Sequence, residues 1–86
     1  MRKDRYYTLT FPSTHDAMTA ERALRDQLPL AVMPTLRQIS ASCGISLRIE
    51  EADWPRLGEI VWDSSRCKAY HVGETVEPVP CPAGKT

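Results

Sequence analysis

The 86-residue sequence predicts an α+β domain of strand, helix, strand, strand, helix, strand order, and three patterns predict it. Tyr7, Leu9 and Phe11 alternate with Tyr6, Thr8 and Thr10, and Ile45, Leu47 and Ile49 alternate with Ser46, Arg48 and Glu50, so two segments carry the two-residue period of strands. Between them, Ala17, Ala20, Leu24 and Leu28 fall at helical spacing.

The elements follow in order. The first strand buries Tyr7, Leu9 and Phe11, leaves Tyr6, Thr8 and Thr10 on an open face, and stops at Pro12. Ser13-Thr14-His15-Asp16 has capping-box spacing, a hydroxyl with a carboxylate three residues later, so a helix over about 14–28 is expected, ended by Pro29. Leu30-Ala31-Val32-Met33, bounded by prolines, reads as an edge strand. Residues 34 to 43 form a long connection into the third strand, and connections of that length in small domains tend to carry function. Asp53 is expected to cap a second helix that tolerates Pro55 in its first turn, turns Trp54, Leu57, Ile60 and Val61 inward, and runs to Trp62 or Asp63. A weaker last strand takes in Ala69, Tyr70, His71 and Val72. The domain is therefore assigned to residues 1–76, and the proline-rich residues 77–86 to a tail without structure of its own.

This order is the split βαβ, or ferredoxin-like, sandwich: a four-stranded antiparallel sheet with two helices on one face. In it the first and third strands are central antiparallel neighbours. The end of the first strand, the start of the first helix and the start of the third strand then share one edge.

Composition narrows the function. One small core leaves no room for a deep, enclosed active site, so chemistry here should be shallow or completed by a partner, as in a carrier or adaptor. Eleven basic and eleven acidic residues cancel, which argues against nucleic acid and anionic membrane surfaces as partners. The polar N-terminal stretch and the lack of any long apolar run point to a cytoplasmic protein. The open face of Tyr6, Thr8 and Thr10 resembles aromatic RNA-binding sheets, but neutrality and the missing glycine-aromatic signature weigh against that use.

Three cysteines at irregular spacing form neither a disulfide framework nor a CxxC pair. Cys43 stands out, because it sits among Ser40, Ser42 and Gly44 rather than inside an apolar period. At the shared edge it would face residues 12 to 16. The start of the first helix, with Ser13, Thr14 and His15, would offer unpaired N–H groups and a partial positive charge that favour a thiolate. Arg37 would add a full charge, and His15 a proton acceptor or donor. Gly44 would keep the approach open. Cys67 falls in the same neighbourhood one central strand away, yet it and Cys81 are read as incidental. Ser13 and Asp16 are also accounted for by capping, and Arg48 by a solvent-facing strand position. A metal site from Cys43, Cys67, His15 and His71 has no recognised zinc spacing, and no cofactor is called for.

These residues also resemble a known family. Tyr7-Thr8, Phe11-Pro12-Ser13-Thr14-His15-Asp16-Ala17, Glu21, Met33-Pro34, Arg37, Ile39-Ser40 and Ser42-Cys43-Gly44 are similar to small bacterial domains described as selenium/sulfur carrier proteins. The resemblance spans about residues 6 to 62, and Leu36 departs from it where a second proline is expected. It implies that Cys43 carries sulfur or selenium as a persulfide or selenopersulfide. The partners implied are a donor enzyme such as a cysteine desulfurase and an acceptor protein. The alternative from a different class is a non-catalytic regulatory or interaction module with a small-ligand or partner site at the 34–44 loop.

Overall fold

Alternating apolar residues begin the fold as expected. In the computed structural model, which describes residues 5–39 and 44–84, β1 (Tyr6–Thr10) sends Leu9 into the core, and Phe11 follows it there. Ser13 then starts α1 (Thr14–Leu24), its hydroxyl accepting from the Asp16 N–H at 3.1 Å and donating to the Asp16 carboxylate at 3.0 Å. The helix ends earlier than the 14–28 expected. Arg25 closes it through a bond to the Glu21 carbonyl at 2.9 Å, and a turn through Gln27 then delivers Leu28 to the core. Leu28 belongs to the apolar face without belonging to the helix.

The remaining elements are β2 (Ala31–Pro34), β3 (Ile45–Glu50), a single 3₁₀ turn (Glu51–Asp53), α2 (Trp54–Leu57), β4 (Lys68–Val72) and β5 (Val76–Val79). One antiparallel sheet takes all five strands in the order β2-β3-β1-β4-β5. The four-stranded ferredoxin-like expectation is met in part. β1 and β3 are antiparallel neighbours in the middle, Leu9 opposite Leu47, but a fifth strand extends the sheet beyond β4. That strand takes residues assigned in advance to the structureless tail. Its proline did not prevent pairing, because Pro78 lies on a sheet edge opposite Tyr70, with a neighbour on one side only.

The chain beyond β5 is held as well. The indole N–H of Trp62 donates to the Pro82 carbonyl at 3.1 Å, and the Gly84 N–H to the Ile60 carbonyl at 2.6 Å. A β-carbon at Gly84 would lie 3.0 Å from the Ile60 carbonyl carbon, so any other residue would have to push the two backbones a few tenths of an ångström apart. The expected structureless tail is thus corrected over residues 77–84.

The second helix is a correction too. It stops at Leu57 instead of running to Trp62 or Asp63, and the chain continues through tight turns, Gly58, Glu59 and Ile60 each donating back three residues. Such turns repeat every three residues, so Leu57 and Ile60 share the buried side just as a helix would have placed them. Val61, expected inward, is 58% exposed.

Leu9, Leu24, Leu47, Ile49 and Leu57 form the fully buried heart of the core, between one face of the sheet and the helices. The other face is not open. Thr8, Thr10 and Ser46, adjacent positions on β1 and β3, are buried there. The connection after β2 helps to cover them: Thr35 and Ser46 hydroxyls meet at 2.8 Å, the Thr35 N–H donates to the Gly44 carbonyl at 2.9 Å, and Ile39 is buried away from the main core. Arg48 lies over the Tyr6 ring, 4.1 Å from its centroid, and bonds Glu50 at 2.6 Å. Arg48 is therefore folded along this face instead of simply facing solvent.

Thr8 Oγ1 is buried with no partner among the described residues. A buried hydroxyl without a hydrogen bond costs on the order of 1–3 kcal/mol, and valine keeps the shape while removing it. Thr8→Val is expected to raise folding stability by about 1 kcal/mol, read as a higher urea midpoint with unchanged slope; a lower midpoint would show that the hydroxyl is satisfied in solution.

Candidate functional site

The expected shared edge exists. Thr10, the last residue of β1, pairs with Ser46 near the start of β3 on one side and with Lys68 at the start of β4 on the other. β2 finishes at the same edge, Pro34 opposite Ile45, and α1 begins a few residues after β1 ends. Gly44, Ser13, Thr14, His15 and Cys67 are thereby brought to one end of the sheet. Ser40, Ser42 and Cys43 lie outside the described residues.

The side chains predicted to support the site divide by role. Ser13 is used by its cap, and both of its hydroxyl bonds go to Asp16. The His15 side chain is exposed on the first turn, its carbonyl accepting from the Thr19 hydroxyl at 2.9 Å. Thr14 forms the first residue of the helix, and Arg37 is exposed on the connection after β2. Gly44 is exposed, and a β-carbon added there would meet nothing within 4 Å. No glycine among the described residues has a positive φ, so Gly44 is not needed for an unusual backbone angle; what it leaves is open space.

The connection from Thr35 to Ile39 reaches this edge along the sheet face opposite α1, since Ser46 points away from the side that Leu47 buries. The hydroxyl of Thr35 is engaged with that face, and the helix start is on the other.

Two acidic side chains at the edge are held by specific partners. Arg66 reaches the Asp16 carboxylate at 3.6 Å, linking the segment before β4 to the first turn of α1. Ser65 donates its hydroxyl and N–H to Asp63 Oδ1 at 2.6 and 3.0 Å, which with Arg66 nearby holds the Asp63 carboxyl below the usual carboxylate range. Phe11, Asp16, Ala20, Trp62, Asp63 and Arg66 border a cleft of about 100 Å³. Ligand pockets hold roughly 300–1,000 Å³, so this cleft is too small for an organic cofactor.

His71 lies at the other end of β4. Its Nε2 meets Glu51 Oε2 at 2.6 Å and its ring packs edge-on against Tyr7, which stacks on Trp54 with centroids 3.9 Å apart. These contacts hold the 3₁₀ turn and α2 to the sheet and keep His71 away from His15 and Cys67. Among the described residues no group of three or more His, Cys, Asp and Glu side chains is arranged to hold a metal ion.

Cys67 and Cys81, read in advance as incidental, are neighbours. Both are free thiols, half-buried and packed against the core. The proximity of the two thiols, with burial, pushes the Cys67 thiol far up, and the neighbouring Cys67 holds the Cys81 thiol below its ordinary value. The signal that would have found them is their spacing across a β4–β5 hairpin, which was hidden while β5 was taken for tail.

The fold and its edge define a small α+β domain that brings Gly44 and the start of α1 to one end of a five-stranded antiparallel sheet. The family described as "Putative Se/S carrier protein-like" matches residues 6–65, more than half of the chain, and the chain belongs to that family. No curated protein and no solved structure matches it. Among the described residues no helix is long and apolar enough to cross a membrane.

Proposed function

We propose that the protein is a sulfur or selenium carrier in which Cys43 holds the cargo. The observation that carries this reading is the family match over residues 6–65, a span that takes in Ser40, Ser42, Cys43 and Gly44. The meeting of Gly44 and the start of α1 at one sheet edge supports it, as does the open space beside Gly44.

Loading needs one exchange. The Cys43 thiolate attacks the terminal sulfur of a donor persulfide such as that of a cysteine desulfurase. A new S–S bond forms at Cys43, the donor's S–S bond breaks, and the donor sulfur leaves as a thiolate that takes the proton Cys43 gave up. With a selenium donor the same attack yields a selenopersulfide. An acceptor protein's nucleophile then takes the terminal atom and Cys43 returns as thiolate. In this reading Cys43 is the nucleophile, the open space beside Gly44 gives access, Ser40 and Ser42 would be hydrogen-bond partners, and Arg37 and His15 would supply charge and protons.

The test loads the protein with a cysteine desulfurase and either cysteine or selenocysteine, so that the donor is the enzyme's own persulfide or selenopersulfide, and reads the mass gain and the alkylation rate against pH. Wild type is expected to gain labile sulfur or selenium and Cys43→Ser to gain none. Equal loading in Cys43→Ser would move the role to another cysteine. No loading in wild type, with Cys43 alkylating like a model thiol, would favour a regulatory or interaction module using the 34–44 loop.

A further inference from the structure

We propose that Cys67 and Cys81 form a redox-active dithiol that exchanges with small disulfides and closes a covalent tie between β4 and β5.

The register places them. Ala69 pairs with Val79 at the end of the β4–β5 ladder, and Cys67 and Cys81 each stand two residues beyond that pair, where continuing the register would set them opposite one another. Both thiols pack against the same core as Ala69 and Val79, which agrees with the side that the strand alternation would give them if it continued past the ladder. Directly opposed residues of an antiparallel pair have α-carbons about 4.5–5.5 Å apart, inside the range of about 4.4–6.8 Å that disulfides span. The Trp62–Pro82 and Gly84–Ile60 bonds hold the chain beyond Cys81 in place, so the pair is positioned by contacts on both sides of it.

The two sulfurs differ in their task. Cys81, its thiol held low by the neighbouring Cys67, is the sulfur present as thiolate at lower pH, and it is the one that attacks first. Its attack on a disulfide RSSR forms a mixed disulfide with Cys81 and releases one RS⁻, which leaves as RSH with the proton lost from Cys81. Cys67 then attacks the Cys81 sulfur, forms the Cys67–Cys81 bond and expels the second RS⁻, which takes the Cys67 proton. The dithiol loses two electrons and the small disulfide gains them.

The experiment uses the full chain carrying Cys43→Ser, so only these two of the three cysteines remain and the outcome does not depend on the carrier reading. The protein is equilibrated in graded mixtures of reduced and oxidised glutathione, quenched in acid, alkylated and weighed. The two thiols are expected to disappear together, giving a product lighter by two hydrogens. Adding Cys67→Ser is expected to stop the reaction at a mixed disulfide on Cys81, whereas Cys81→Ser slows the first step by about tenfold or more. Oxidation is also expected to slow amide hydrogen exchange in Val76–Val79, a readout needing no further substitution. Glutathione adding to the two cysteines independently, or unchanged exchange in β5 after the bond closes, would overturn the proposal. So would the absence of any reaction in a chain that circular dichroism shows to be folded.

Discussion

Leu47→Ala is expected to cost about 3 kcal/mol of folding stability, the largest loss from any single strand position. Leu47 is fully buried in β3, opposite Leu9 on β1 and Val32 on β2, and the main core closes over it. Alanine leaves a cavity at the middle of the sheet, where flanking strands are fixed by ladders on both sides and cannot collapse into it. Small domains bury proportionally little surface, and single domains are stable by only about 5–15 kcal/mol. Urea unfolding followed by circular dichroism should therefore show a clearly lower midpoint at similar slope. The same substitution at Val32, 48% exposed on the edge strand, should change stability by less than about 0.5 kcal/mol. A loss at Val32 as large as that at Leu47 would mean that β2 is covered in solution.

Trp62→Ala is expected to cost about 3–5 kcal/mol and to loosen the chain after β5. The ring is nine-tenths buried in the core, and its N–H is the bond that reaches Pro82. Trp62→Phe separates the two contributions: it keeps most of the packing and removes the donor, for an expected cost of about 1–2 kcal/mol. Both variants should speed alkylation of Cys81, because that cysteine immediately precedes the anchored residue. A large stability loss with no change in Cys81 reactivity would show that the indole packs without anchoring the chain end.

What could be read from the residues was local. The alternation of Tyr7, Leu9 and Phe11, the cap at Ser13 and the alternation of Ile45, Leu47 and Ile49 each state their own conformation, and the structure keeps all three. Trp54, Leu57 and Ile60 illustrate the limit: a three-residue apolar spacing reports which side is buried but does not tell a helix from consecutive tight turns. Alternation likewise marks Thr8 and Thr10 as one face without saying what lies on it, and that face was covered by a connection reaching back from Thr35 and Ile39. β5 was lost because three prolines outweighed Val76 and Val79, although an edge strand tolerates proline where a central one does not. With β5 missing, the pairing of Cys67 with Cys81 could not be seen. At the candidate site, the sheet edge was deducible from topology, and the positions of Ser40, Ser42 and Cys43 fall outside the described residues.

The sheet's two outer strands each contain a proline, Pro34 in β2 and Pro78 in β5, and each is only four residues long. A proline offers no N–H, so an incoming strand laid along either border would find a short and interrupted row of donors. Lateral growth of the sheet, whether by self-stacking into fibres or by recruiting a client's extended segment, is disfavoured from both sides. Borders that do not adhere keep the domain from being held by the first extended segment it meets.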